Sequence, residues 1–130
     1  MEILRIKETC IYVTDLARAK DFYHELLGLP LIDYQEGKHL FLRVGQSVLL
    51  LFNPEDSGKK TSPPAHFGGG KQHFAFEVED ALYDECKSEL VSKGIQIVDE
   101  ITWKTGKKSF YFNDPEGNVL EILPEKGVWN

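Results

Sequence analysis

Two carboxylates and one imidazole stand at positions from which they could bind a metal ion. Glu121 interrupts the apolar run Val119–Leu123, where a buried carboxylate is unfavourable unless something neutralises it. Glu8 and His73 lie near the starts of two predicted strands. One histidine and two glutamates suit Mn²⁺, Fe²⁺, Co²⁺, Ni²⁺ or Zn²⁺ and leave coordination positions for substrate and water. We therefore predict a divalent metal bound by Glu8, His73 and Glu121.

Each of the three residues also has an interpretation without a metal. Glu121 would instead pair with a buried Arg43, and His73 would be a hydrogen-bonded histidine in a cavity that has lost its metal. Glu8 would be a solvated residue at the start of a strand. The sequence alone leaves these alternatives open.

The elements that would position these residues occur twice along the chain. Glu8 lies seven residues before the predicted helix cap Asp15, and His73 lies seven residues before Asp80, an offset of 65 in both cases. This spacing predicts a tandem repeat of a strand–helix–three-strand module. Module one has a strand over 3–13, a helix ending at Gly28 and strands near 29–34, 39–44 and 48–52; module two has a strand over 72–78, a helix over 81–93, a strand over 95–98 and a hairpin over 109–123.

The repeat predicts one domain over residues 1–130. Module one covers about 1–56 and module two about 72–124, with a tail over 125–130. Residues 53–71 hold three prolines and four glycines with few apolar side chains, which predicts a linker or flap between the modules.

Composition excludes several classes of partner. The chain has 130 residues, 42% of them hydrophobic, and a formal charge of −6, which argues against nucleic acid or an anionic membrane as its partner. No apolar run approaches the roughly 20 residues of a membrane span. Two cysteines form neither a disulfide framework nor a metal motif. We expect a cytoplasmic protein that binds a small molecule.

Four sequence motifs stand out: Glu8-Thr-Cys-Ile-Tyr-Val-Thr-Asp-Leu, Asp21-Phe-Tyr with Leu27-Gly-Leu, Lys71-Gln-His-Phe-Ala-Phe, and Tyr111-Phe-Asn-Asp-Pro-Glu-Gly-Asn-Val-Leu-Glu. They resemble the vicinal oxygen chelate superfamily, which includes glyoxalase I, the bleomycin-resistance proteins, the thiol transferases that inactivate fosfomycin and the extradiol dioxygenases. The resemblance implies an α+β fold in which two tandem βαβββ modules form an open, barrel-like metal-binding cup. It also implies a homodimer in which Glu8 of one chain joins His73 and Glu121 of the other.

The sequence departs from the superfamily pattern at two positions. The first-strand ligand is most often histidine in the family, and here it is Glu8. Glyoxalase I carries a fourth ligand, a glutamate, on the last strand of module one, where this chain has Leu49-Leu50-Leu51. The second departure counts against glyoxalase I itself and favours a site with three ligands.

We therefore predict a metal-dependent enzyme that acts on a small substrate with vicinal oxygens. Lyase, isomerase or thiol-transfer chemistry is favoured over ring cleavage by a dioxygenase, because the predicted ligand set is more anionic than two histidines and one carboxylate. The alternative is a metal-free dimer that sequesters a drug or metabolite.

Six further residues are candidates for contacts with the substrate. Tyr111 and Phe41 occupy equivalent positions in the two modules and should line the cup. Resemblance to the fosfomycin thiol transferases implies that the Tyr111 hydroxyl approaches the metal-bound substrate; the alternative is an aromatic side chain that fills the core. Arg43 is suited to bind a substrate carboxylate or phosphonate, or else forms an internal salt bridge. The remaining candidates are His39 beside Phe41, His66 on the flap, and Trp103, which would wall the cavity or a dimer interface.

Overall fold

The computed structural model describes all 130 residues, which divide into two compact units, Met1–Gly70 and Lys71–Asn130. Each unit contains one βαβββ module, so the predicted α+β fold of two tandem modules is confirmed. Module one contains β1 (Glu8–Tyr12), α1 (Leu16–Lys20), β2 (Leu31–Gln35), β3 (His39–Val44), β4 (Ser47–Phe52) and the short α2 (Pro54–Ser57). Module two contains β5 (His73–Val78), α3 (Tyr83–Ser92), β6 (Asp99–Thr102), β7 (Lys108–Asn113) and β8 (Val119–Pro124).

Each module forms its own four-stranded sheet with the same connectivity. The order is β1-β4-β3-β2 in module one and β5-β8-β7-β6 in module two, so neither sheet closes on itself. In each sheet the first strand pairs in parallel with the last strand, and the other pairs are antiparallel.

Two strand predictions were wrong in their bounds. Residues 3–7 precede β1 without strand structure, because their alternating apolar residues find no partner strand and remain exposed. The strand predicted over 95–98 begins instead at Asp99, which pairs with Tyr111. Ile95 is buried, and its backbone N–H donates to the Leu90 carbonyl oxygen of α3 at 3.0 Å and not to a neighbouring strand.

Strand alternation gives each sheet two distinct faces. We call the face that carries Glu8 or His73 the front face and the opposite one the helix face. On the helix face of module two Phe110, Phe112 and Leu120 are fully buried. The helix face of module one is equally apolar, with Leu40, Leu42, Leu49 and Leu51 buried.

The helices begin and end at residues whose side chains or backbone suit the position. Asp15 caps α1 by accepting a hydrogen bond from the Arg18 backbone N–H at 3.0 Å. The helix continues as a π-helical segment, Asp21–Leu26, and Gly28 ends it with a φ of 78°, a value that favours glycine. Asp80 begins a 3₁₀ turn before α3 and does not cap the helix with its side chain, which instead binds Lys107 at 2.9 Å.

No helix of this chain has the length and apolar character required to cross a membrane.

The helix face of module one should dominate the stability of that unit. Leu51 is fully buried and Leu31, in the same sheet, is 40% exposed. We expect Leu51→Ala to lower the free energy of unfolding by about 2–5 kcal/mol, because the change leaves a cavity in a packed core. Leu31→Ala is the matched control and should have a smaller effect. Denaturant unfolding followed by circular dichroism measures both, and equal effects of the two changes would contradict the assigned core.

Candidate metal centre

His73 and Glu121 lie close together on the front face of module two. His73 pairs with Val119 at the start of the parallel β5–β8 pair, and Glu121 is two residues further along β8, opposite Ala75. The His73 Nε2 atom lies 3.4 Å from Glu121 Oε2. The Glu121 side chain is 8% exposed and that of His73 is 51% exposed, so the pair has one buried and one accessible member.

The hydrogen bonds of the pair leave the Nε2 atom of His73 as a possible ligand and one oxygen of Glu121 without a partner. His73 Nδ1 lies 2.8 Å from the Val119 carbonyl oxygen, and because a carbonyl only accepts, Nδ1 carries the proton. In the neutral ring Nε2 therefore presents a lone pair toward Glu121. The other carboxylate oxygen, Oε1 of Glu121, is buried and has no hydrogen-bond partner. A lone pair facing a buried carboxylate is unfavourable unless a proton or a metal ion lies between them.

The spacing of His73 Nε2 and Glu121 Oε2 fits two ligands of a divalent metal. Ligand atoms at roughly 2.0–2.2 Å from a zinc-like ion, with tetrahedral or octahedral angles, lie about 2.9–3.5 Å apart. The observed 3.4 Å falls in this range, whereas it is long for a charge-assisted hydrogen bond. The Nδ1–H bond to a backbone carbonyl is the arrangement by which metal-binding histidines are commonly oriented.

A chain of hydrogen bonds links Trp103 to Glu121. The Trp103 indole Nε1–H donates to the Ser109 hydroxyl at 3.1 Å. Burial raises the pKa of the Tyr111 hydroxyl; a hydrogen bond from Ser109 lowers it, and a hydrogen bond to the negatively charged Glu121 raises it further. Tyr111 therefore remains protonated at neutral pH, and it lies directly opposite Glu121 in the β7–β8 pair. Ser109 is fully buried and was not among the predicted residues.

Glu8 occupies the module-one position equivalent to His73. It pairs with Val48 as His73 pairs with Val119, which confirms the predicted equivalence. The Leu50 position is likewise equivalent to Glu121, since Leu50 pairs with Phe41 as Glu121 pairs with Tyr111. Glu8 is exposed, and the single chain contains no group of three or more His, Cys, Asp or Glu side chains arranged to hold a metal.

The other module-one candidates share the front face with Glu8. Arg43 is exposed and forms no salt bridge, so the alternative in which a buried Arg43 pairs with Glu121 was wrong. His39 is buried, and its ring stacks on Phe41 with centroids 4.0 Å apart and planes 8° apart. His39 Nε2 lies 2.7 Å from Asp33 Oδ2, and this hydrogen bond holds the pKa of the Asp33 carboxyl below its usual range.

The flap residue His66 packs against the front face of module one. Its Nδ1 lies 2.8 Å from the Tyr12 hydroxyl, and its ring meets Phe52 edge-on at 4.5 Å. Gly68 allows the flap to approach closely, because a Cβ atom there would lie 2.8 Å from the Tyr12 ring. His66 is thus half-buried in module one and is not an exposed loop histidine.

The residues that sequence reasoning missed carry only weak sequence signals. Ser109 and Tyr12 lie on front faces at even spacing from Tyr111 and Glu8, so strand period alone would have included them. Asp33 lies on β2, which carries no predicted candidate. Nothing in their residue types distinguishes them from ordinary strand residues, since their roles depend on partners in other strands or in the flap.

The two tandem βαβββ modules define a class of small α+β proteins, and comparison with known families agrees. The model of the Glyoxalase/Bleomycin resistance protein/Dioxygenase superfamily matches residues 5–122. The chain belongs to this superfamily, as its motifs indicate.

Individual relatives include a lyase and two transferases. The crystal structure of lactoylglutathione lyase from Agrobacterium tumefaciens superposes with a TM-score of 0.92 at 32% identity, covering 99% of this chain and 98% of that one. Glutathione transferase FosA of Serratia marcescens is 32% identical over 85% of this chain and 73% of its own length. Metallothiol transferase FosB of Staphylococcus saprophyticus is 26% identical over 92% of this chain and 76% of its own length.

The flap contact gives a prediction for alkaline pH. Burial, followed by the neighbouring Cys10, raises the pKa of Tyr12 to about 12, above the 10.0 of a free tyrosine. Stability from Tyr12 is thus fully present below pH 10 and is lost as pH rises toward 12, because the unfolded state releases its proton first. The free energy of unfolding, measured from pH 9 to 12, should fall more steeply in the wild type than in Tyr12→Phe. If the free energy of unfolding falls equally with pH in the two proteins, the raised pKa of Tyr12 is contradicted.

Proposed function

We propose that this protein is a divalent-metal-dependent enzyme of lyase, isomerase or thiol-transfer type, acting on a small substrate with vicinal oxygens. The observation that carries the proposal is the buried Glu121 carboxylate, whose Oε2 lies 3.4 Å from His73 Nε2 and whose Oε1 has no hydrogen-bond partner. A chain that needed only a buried hydrogen bond would satisfy both carboxylate oxygens. This pair is better explained as two ligands of a cation.

His73 and Glu121 would bind the metal, with Glu8 as the third ligand. When bound, the metal would supply Lewis acidity toward two adjacent substrate oxygens. The three protein donors leave room for both oxygens in a six-coordinate site. Two carboxylates and one imidazole suit the harder ions among Mn²⁺, Fe²⁺, Co²⁺, Ni²⁺ and Zn²⁺.

The protein groups around the pair have separate tasks in this proposal. Tyr111 stays protonated and donates a hydrogen bond, so it orients Glu121 and is not a base. Arg43 is a free cation on a front face and is suited to bind an anionic substrate group through its planar guanidinium. His39, held by Asp33 and stacked on Phe41, would form part of the wall of the binding surface.

The names of the relatives point to sulfur chemistry. Lactoylglutathione lyase and glutathione transferase FosA both act on glutathione derivatives by name, and FosB is a metallothiol transferase by name. A substrate formed from a thiol and a small molecule with two neighbouring oxygens fits all three names. The missing carboxylate at Leu50 separates this chain from the four-ligand pattern, so we favour a three-ligand member of the group.

The third ligand would come from a second copy of the chain. Glu8 lies in the other compact unit from His73 and Glu121, and no three-donor group forms within one chain. A homodimer in which Glu8 of one protomer completes the pair of its partner would supply the full set. Exposed apolar side chains before β1, namely Met1, Ile3, Leu4 and Ile6, are compatible with burial in such an assembly.

Metal content tests the proposal directly. Purified protein, stripped and reloaded with each of the five ions, should bind about one ion per chain, measured by elemental analysis. Glu121→Gln and His73→Gln should each abolish stoichiometric binding, because each removes one ligand of the proposed three. Turnover of lactoylglutathione and consumption of glutathione thiol should both be assayed with and without the bound ion.

Matched controls separate ligation from general damage. Glu77 lies on the same face of β5 as His73, so Glu77→Gln is the control for a lost carboxylate. His24→Gln is the control for a lost histidine, because His24 Nδ1 lies 2.7 Å from the Leu29 carbonyl oxygen. Both controls should keep full metal content. A wild-type protein that binds none of the five ions would overturn the enzyme and favour the metal-free sequestering dimer.

A complementation experiment tests the shared site. If Glu8 acts across the dimer, a mixed dimer of Glu8→Ala and Glu121→Ala chains contains one intact ligand set and one doubly defective set. Unfolding and refolding the two inactive variants together should therefore restore one metal site per heterodimer. Elemental analysis should then find up to half an ion per chain in the heterodimer. If Glu8 acts within its own chain, mixing restores nothing.

A further inference from the structure

We propose that Asp114 and Asn118 are positioning residues that fix the orientation of the His73 ring for metal binding. Together with Gln72 they form a buried hydrogen-bonded unit, which we call the hairpin clamp. The inference rests on the proposed function for its metal and on the described contacts for its geometry.

The clamp joins the β7–β8 turn to the start of β5 through side chains that are almost fully buried. Asp114 is 5% exposed and Asn118 is 1% exposed. The Asp114 Oδ1 atom accepts hydrogen bonds from the backbone N–H groups of Glu116 and Asn118, both at 2.9 Å. Asp114 Oδ2 accepts from Asn118 Nδ2 at 2.8 Å, which fixes the amide of Asn118 with its oxygen facing away from Asp114.

That amide oxygen binds the residue immediately before His73. Asn118 Oδ1 accepts from the Gln72 backbone N–H at 3.0 Å and from Gln72 Nε2 at 3.3 Å. The Val119 backbone N–H donates to the Gln72 carbonyl at 2.8 Å. Three hydrogen bonds therefore join Gln72, the residue before His73, to Asn118 and Val119 at one end of the β5–β8 pair.

The position of the His73 ring depends on this same junction. Its Nδ1–H donates to the Val119 carbonyl, and Val119 follows directly after Asn118. A shift of Val119 would lengthen that bond and release the ring to turn or to change tautomer. Nε2 would then no longer face Glu121, because only the Nδ1–H tautomer leaves Nε2 free as a ligand.

Module one shows that the strand pair forms without such a clamp. Ser47 precedes Val48 as Asn118 precedes Val119, and Lys7 precedes Glu8 as Gln72 precedes His73. There the Val48 N–H donates to the Lys7 carbonyl at 3.3 Å, and the Ser47 side chain forms no hydrogen bond to Lys7. The buried polar unit is present only in the module that carries the His–Glu pair, so holding the sheet together is not its sole role.

A charge-conserving exchange provides the sharpest test. In Asp114→Asn alone, two amide groups face each other between positions 114 and 118. In Asn118→Asp alone, two carboxylates face each other there. In the double exchange Asp114→Asn with Asn118→Asp, the asparagine amide at 114 donates to the carboxylate at 118, which still accepts from Gln72. Every clamp hydrogen bond is then available again, and the net charge is unchanged.

Two measurements read the outcome. Nitrogen-15 shifts of the His73 ring in metal-free protein report the tautomer, which should be Nδ1–H in the wild type and mixed in each single variant. Zn²⁺ affinity, measured by competition with a chelator, should fall about 10-fold or more in each single variant, as expected for loss of a group that orients a ligand. The double exchange should restore both properties to near wild-type values.

Asn53→Ala is the matched control for a lost side-chain cap. Asn53 in module one accepts from the Glu55 N–H at 3.1 Å and donates to the Gly37 carbonyl at 2.9 Å. Its removal should lower the melting temperature without changing the tautomer of His73 or the Zn²⁺ affinity.

Several results would overturn the inference. An unchanged tautomer in folded single variants, or a double exchange that stays as defective as the single ones, would assign the clamp a structural role only. Should a single variant fail to fold, Gln72→Ala removes the side-chain bond to Asn118 and leaves the backbone contacts, so it should give a smaller change in the same direction. If wild-type protein binds none of the five ions, the proposed function fails, while the tautomer still tests the clamp.

Discussion

The structure depends on the placement of a carboxylate inside a sheet that offers it few partners. Glu121 stands on the last strand of module two with apolar neighbours on either side, and one of its oxygens has no hydrogen-bond partner. Such a group is unfavourable by itself in a region of low polarity. The surrounding residues therefore make sense as parts of one arrangement: His73 presents a lone pair to it, Tyr111 donates to it, and the hairpin turn holds its strand in register.

Much of this could be predicted from the sequence because the relevant signals are local or periodic. The turn from Asp114 to Gly117 is specified by residue types whose backbone preferences are strong, and Gly117 indeed has a φ of 86°. The equivalence of Glu8 and His73 followed from counting residues to the next helix. The same repeat aligned Tyr111 with Phe41, and each lies on the front face of its own sheet.

What could not be predicted depends on contacts between segments distant in the chain. Nothing in the sequence shows that Ser109 connects Trp103 to Tyr111, since a buried serine in a strand has many possible partners. The start of β6 at Asp99 was missed because the apolar residues Ile95 and Val98 resemble a strand, although Ile95 packs at the end of α3 instead. Propensity favours a strand there, and tertiary packing decides otherwise.

The leucine at position 50 has a consequence for how such a protein can change over evolutionary time. Because the position equivalent to Glu121 is apolar in module one, that half of the duplicated fold contributes at most one ligand, Glu8. Substitutions on the rest of its front face, around Phe41 and Arg43, can alter which molecules are accepted without removing the His73–Glu121 pair. A duplicated fold that concentrates its reactive groups in one copy thereby leaves the other copy free to diverge toward new substrates.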